Sequence, residues 1–275
     1  MVEAVLRAQG LYSLKLTART EVWKAQLSGG RWAEACQLHD GRLLVRASCE
    51  RSVDEARFLL ALDDDTSEFH RRFARDPLLR PSVHALRGLR TTRTSTVAHA
   101  ALRAICGQLI QSRRAREIER VVIRKCGESP PTRESLARLS PAALTGCGLA
   151  ESRAATLARL VRRVDLESLK TSAAATALAR LHRERGIGPW SVGVIALQGL
   201  GRYDAGLVAD LSLVKLFASL RGRWPDQTEE TAELLAPYDE WQGLASVFLL
   251  AGFARGLVPG ASADRARLVR ARRAA

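Results

Sequence analysis

Lysine, methionine and aromatic residues are scarce in this chain. Lys15, Lys24, Lys125, Lys170 and Lys215 are the only lysines among 43 basic residues, there is one Met, and aromatics make up 5% of 275 residues. The five cysteines, Cys36, Cys49, Cys106, Cys126 and Cys147, are odd in number and show no CxxC or Cys/His spacing. That pattern excludes a disulfide framework and a zinc site, so metal ligands are expected nowhere among these side chains. No apolar run approaches membrane-spanning length, and MVEAVLRAQG is too short and polar for a signal peptide. A soluble cytoplasmic protein is expected, nucleoid-associated in bacterial terms, with no membrane partner. Acid is also in short supply: 29 acidic residues leave a net charge of +14 and a pI near 10.6. Such a balance favours a polyanionic partner, and nucleic acid is the simplest.

What is present is mostly helical periodicity. Residues 11 to 50 carry the strand character: LYSLKLTA alternates, and AEACQL and RLLVRAS flank the turn signal His39-Asp40-Gly41. From Ser52 the pattern turns helical in VDEARFLLAL and DDTSEFHRRFA, with Asp65 or Thr66 available as a cap. The spacing predicts a helix over 97–110 with Leu102, Ile105, Cys106, Leu109 and Ile110 on one stripe. The reading is mainly α with a small N-terminal α+β domain: residues 1–90 with a small antiparallel sheet, and residues 91–275 all helical.

The most informative stretch is LARLHRERGIGPWSVGVIALQGLGRYDAGLVADLSLVK, residues 178–215. Ala174, Ala177, Leu178 and Leu181 repeat at helical spacing, with Thr171 or Ser172 as N-cap. The repeat stops at Gly186-Ile187-Gly188-Pro189, where two glycines permit positive φ and Pro189 suits the first position of the next helix. A third helix starts around Asp210, with Leu211, Val214, Phe217 and Leu220 as its apolar face. The turn and the start of the second helix leave backbone N–H groups free to hold a phosphate without reading sequence.

This hairpin, about residues 173–200, resembles the helix-hairpin-helix motif of the base-excision DNA glycosylases. DPLL at 76–79, the GQ-apolar segment Gly107-Gln108-Leu109-Ile110 and the spacing of 22 residues from Gly188 to Asp210 resemble its alkylation-repair branch, the DNA-3-methyladenine glycosylase II family. The resemblance implies that fold, with Asp210 as the catalytic carboxylate. It implies phosphate binding at Gly186, Ile187, Gly188 and Ser191, and a base pocket walled by Trp190, Tyr238 and Trp241. Gln108 and Leu109 would form the DNA wedge, although a Leu on such a stripe ordinarily belongs to the core. It further implies a Na⁺ or K⁺ ion at the hairpin carbonyls. Cluster-bearing members carry four cysteines near the C-terminus; none follows Cys147 here, so no iron–sulfur cluster is expected. Bifunctional members carry a lysine where Trp190 stands, and an indole cannot form a Schiff base.

The expected activity is that of a monomeric, monofunctional DNA glycosylase. It would act on double-stranded DNA containing a damaged base, flipping an alkylated base of the 3-methyladenine type and hydrolysing its N-glycosidic bond with Asp210, in base excision repair. Two alternatives stay open: a glycosylase for oxidised or other damaged bases, and a non-catalytic helix-hairpin-helix DNA-binding protein.

Overall fold

The computed structural model describes residues 1–274. An N-terminal sheet has strand order β1 (Val2–Leu6), β4 (Leu43–Ala47), β3 (Trp32–Gln37) and β2 (Val22–Gln26), with every pairing antiparallel. Its strands are short and alternate in burial, as expected for a sheet with one solvated face. Ala33, Ala35, Leu43, Val45 and Ala47 point inward, onto Val53, Ala56 and Leu59 of a covering helix. The outer face carries cross-strand ion pairs, Arg46–Glu3 at 2.8 Å and Lys24–Glu34 at 3.1 Å.

The helices in chain order are α1 (Leu14–Ala18), α2 (Glu50–Leu59), α3 (Ser67–Arg72), α4 (Arg80–Ala85), α5 (Val97–Gly107), α6 (Ser112–Cys126), α7 (Arg133–Ala137) and α8 (Pro141–Gly146). They continue with α9 (Glu151–Arg163), α10 (Ala174–His182), α11 (Pro189–Ile195), α12 (Leu211–Arg221), α13 (Glu229–Leu235), α14 (Gln242–Phe253) and α15 (Ala263–Ala274). None of them is long and apolar enough to cross a membrane.

The helix α1 corrects the strand expected over LYSLKLTA. Ser13 caps it by accepting from the Leu16 N–H, and Leu14 and Thr17, three apart, turn into the core. The edge strands β1 and β2 were not anticipated; each is five residues long and has one neighbour only.

Two apolar clusters form, one spanning Ala8 to Leu62 and a larger one running from Phe69 onward. They part earlier in the chain than the division expected near residue 90. Phe69 of α3 packs on Phe248 of α14 at 5.0 Å and on Trp241 at 5.8 Å, which draws this segment into the helical core. Arg90 ties the two clusters together. Fully buried, it donates to the carbonyls of Gln9, Leu11 and Ala61, satisfying a charge that would be costly to bury alone.

Candidate active site and nucleic-acid interface

The hairpin forms where the sequence places it. The first helix, α10, starts after Ala173 without a side-chain cap, because Thr171 and Ser172 both turn their hydroxyls back to the Ser168 carbonyl. At the turn only Gly186 has positive φ, +85°, and a Cβ there would stand 2.6 Å from Thr156 Oγ1 of α9. Gly188 is instead the extended N-cap of α11, at φ −84°, with Pro189 following as the first helical residue. Ile187 is buried, so only its backbone is available to a ligand. The Ser191 side chain is also buried, and its Oγ accepts from Gln108 Nε2 at 3.0 Å.

Two further elements converge on this turn. Helix α5, capped by Thr96, ends at Gly107 rather than running to 110, and there a Cβ would meet the Trp190 ring at 2.6 Å. Beyond it Leu109 takes φ +54° and stands 97% exposed, which removes it from the buried stripe expected of it. A non-glycine residue held at such φ, with its apolar side chain in water, costs of order 1–3 kcal/mol and marks a segment fixed by its surroundings. Gln108 does that fixing. Its Nε2 donates to the Gly186 carbonyl at 2.9 Å as well as to Ser191, so Gln108 bridges to the hairpin and leaves only Leu109 projecting. A cavity of about 540 Å³ lies between Gln108–Leu109 and the turn residues His182 to Gly188.

The second element carries Asp210. It caps α12, its Oδ1 accepting from the Ser212 N–H at 2.8 Å, while its Oδ2 accepts from Trp190 Nε1 at 2.9 Å. The carboxyl is partly exposed. Ala209, just before it, holds φ +64° and donates its N–H to Thr231 Oγ1 at 2.8 Å. Close approach of two glycines brings the loop to the hairpin: a Cβ on Gly193 of α11 would lie 2.3 Å from the Gly206 carbonyl oxygen. Leu211 is 52% exposed and faces outward beside Asp210, while Leu213 and Leu216 join Val214 and Phe217 on the buried face.

The three aromatic residues expected to wall one pocket are dispersed. Trp190 spends its N–H on Asp210 and an edge of its ring on Gly107. Tyr238 is 2% exposed, edge-on to Phe73 at 5.2 Å, with its hydroxyl toward Asp76 at 3.4 Å. Burial raises its phenol pKa. Trp241 stacks on Tyr203 at 5.9 Å and lines a separate cavity of about 360 Å³ with Ala174, Arg202, Asp204 and Glu240. Tyr203, the partner of Trp241, follows shortly after the π-type extension of α11, Ala196–Leu200.

A buried charge cluster locks α5 to α6. Glu119 accepts from His99 at 2.8 Å and Arg103 at 2.9 Å, with Arg116 at 3.8 Å. Burial alone would raise the Glu119 pKa, yet the His99 hydrogen bond and the two guanidinium charges hold it near 2. Burial lowers the His99 pKa. Arg103 also reaches Gln198, joining α5 to the π-type extension of α11, Ala196–Leu200.

Three carbonyls of the turn, where the resemblance implies a Na⁺ or K⁺, each accept from a donor of the protein. The Glu184 carbonyl accepts from the Ile187 N–H at 3.0 Å, that of Arg185 from Arg159 Nη2 at 2.5 Å, and that of Gly186 from Gln108. Among the described residues, no group of three His, Cys, Asp or Glu side chains could hold a metal ion.

A helical hairpin with a glycine turn, an exposed leucine beside it and a carboxylate at the N-terminus of the following helix, on a helical core behind a small sheet, have the arrangement of the helix-hairpin-helix DNA glycosylase fold. A 3-methyladenine DNA-glycosylase from Archaeoglobus fulgidus superposes with a TM-score of 0.79 at 18% identity, over 92% of this chain and 98% of that one. An 8-oxoguanine glycosylase/lyase from Clostridium acetobutylicum, solved with double-stranded DNA, superposes at 0.73 with 18% identity over the same shares. Within the class, the sequence relationship runs to the DNA-3-methyladenine glycosylases. The chain is 26% identical over 229 residues to the Bacillus subtilis enzyme of that name, covering 77% of this chain and 75% of that protein. No family model matches the chain.

Proposed function

We propose that the protein is a monofunctional DNA glycosylase of alkylation repair, releasing bases of the 3-methyladenine type from duplex DNA as a monomer. The observation that carries the reading is the Asp210 carboxylate, half-exposed beside the hairpin and oriented by two donors, Trp190 Nε1 and the Ser212 N–H. Both donors and the positive end of α12 are directed at its carboxyl oxygens. An alkylated purine already carries positive charge and leaves readily. What the enzyme adds is an anion facing the sugar, which stabilises the oxocarbenium-like transition state and orients the attacking water.

Extruding the nucleotide costs a few kcal/mol of stacking and pairing, and an apolar wedge offsets part of that. Leu109 is presented for this role: exposed, preset in backbone, and tied through Gln108 to the turn that holds the phosphate. Trp190 acts as a positioning residue for Asp210. Of the three aromatic residues that the resemblance implies for the base pocket, Trp190 is the one bonded to Asp210, while Tyr238 packs on Phe73 and Trp241 stacks on Tyr203. With Trp190 in the hairpin and no lysine there, no Schiff base forms and the strand stays intact.

The test uses duplex oligonucleotides bearing single lesions, analysed for abasic sites with and without alkali. Release of alkylated bases with cleavage only after alkali supports the reading. Nicking without alkali sinks the monofunctional assignment and favours a lyase like the Clostridium enzyme. Binding without release of any base, unchanged in Asp210→Asn, leaves a DNA-binding protein without chemistry.

A further inference from the structure

We propose that Arg183 and Arg185 grip the strand that carries the extruded nucleotide, at the phosphates flanking the gap, through the cavity that separates the turn from Leu109. The inference rests on the reading of the hairpin and Leu109 as a DNA interface and adds two side chains to it.

The cavity is bounded on one side by Gln108 and Leu109 and on the other by residues 182 to 188. His182, Arg183 and Arg185 line it and are exposed, so the turn side carries three basic residues. The acid that lines the same cavity, Glu184, is buried and paired with Arg180 at 2.5 Å, so its charge is already met. Among the described residues, neither Arg183 nor Arg185 has a carboxylate within ion-pair distance. Other exposed arginines do have one: Arg113 and Arg114 reach Glu117, and Arg46 reaches Glu3. Two guanidinium groups separated by one residue and left without a counter-charge repel each other. A phosphate brought to this wall relieves the repulsion, and a guanidinium can meet two of its oxygens at once. Leu109 decides which phosphates these are. It forms the opposite wall, so when its tip fills the gap in the stack the backbone crossing the cavity belongs to the nucleotides on either side of that gap. Phosphates carry no sequence information, and the grip is therefore indifferent to the neighbours of the lesion.

The test is fluorescence anisotropy with a labelled duplex carrying one tetrahydrofuran abasic site, titrated over a range of NaCl. The proteins are the wild type, Arg183→Gln, Arg185→Gln and, as a control, Arg51→Gln, which removes an exposed arginine of α2. Each cavity variant is expected to weaken binding about fivefold to tenfold and to lower the slope of log K against log salt by about one, the signature of one lost phosphate contact. The control should leave the Kd within about twofold of the wild type and the slope unchanged. Circular dichroism confirms that all four proteins are folded. A second series places one neutral methylphosphonate at each position near the abasic site in turn. For each arginine, one replacement within about two nucleotides of the gap should weaken the wild type about fivefold and leave the corresponding variant unaffected. An unchanged salt slope in either cavity variant would overturn the proposal. So would a loss in Arg51→Gln as large as theirs, or the absence of any phosphate whose replacement is silent in the variant. Failure of the wild type to bind the duplex at any salt concentration would instead strike at the DNA-interface reading itself.

Discussion

The surroundings of Asp210 and those of the paired aromatic residues are built on opposite principles. Around Asp210 sit groups that a stable fold has no reason to leave as they are: an exposed leucine at φ +54°, an alanine at +64° and a partly exposed carboxylate, restrained by polar ties from Gln108, Thr231 and Trp190. Tyr203, Tyr238 and Trp241 are instead consumed by packing. Tyr203 donates to Asp64 at 2.5 Å and stacks on Trp241, and Tyr238 is sealed against Phe73. Strain and exposure held in place by neighbours, rather than aromatic content, separate the proposed working end from the scaffold.

That contrast can be broken most directly at Asp210. Asp210→Asn should cost about 10³-fold or more in single-turnover base release, about 4 kcal/mol, while the Kd for abasic duplex changes little. Retained release would mean that the working end has been misplaced.

Next in size is the acid sensitivity of the α5–α6 lock. Glu119, held near 2 in the fold, gives stability that is present above its unfolded value near 4.5 and lost as pH falls toward 2. The shift corresponds to about 3 kcal/mol. His99, with a lowered folded pKa, adds to the loss, because the unfolded chain takes up a proton below about 6.5 before the folded one does. Thermal unfolding should therefore show Tm falling below pH 6.5 and more steeply below 4.5. Glu119→Gln should flatten the lower part.

Trp190→Phe keeps the ring against Gly107 but removes the donor to Asp210. A loss of about 30-fold in single-turnover rate is expected, close to 2 kcal/mol, with Kd unchanged. A change in Kd alone would show that the indole meets the base after all. Leu109→Ala should lower base release about tenfold without lowering Tm, since the side chain packs on nothing in the free protein. Tyr238→Phe should be the smallest, under 1 kcal/mol in Tm-derived stability and nothing in rate, because its hydroxyl hydrogen bond is long.

The hairpin, the cap role of Asp210 and the small sheet were legible because each follows from local rules: glycine where φ is positive, proline at the first helical position, an acid before an apolar repeat, alternation around a turn. The unread parts depend on partners distant in sequence. Thr171 and Ser172 look like caps until Ser168 offers them a carbonyl. LYSLKLTA alternates like a strand, but Ser13 caps a turn instead. Leu109 belongs to the helical stripe by spacing, yet α5 stops two residues short of it, where Gly107 makes room for Trp190 from 83 residues away in the chain. Tyr238 and Trp241 stand in the sequence as available rings, and only Phe73 and Tyr203, distant in the chain, show that they are taken up by packing.

Gln108 has a mechanical corollary. With one amide joined both to the Gly186 carbonyl and to Ser191, the gap between the tip of Leu109 and the hairpin is gauged by the protein and not by the duplex laid against it. On the proposed reading the two would act as the jaws of a caliper locked at a single opening: wherever one jaw closed on a backbone, the other would test the stack at the same fixed offset.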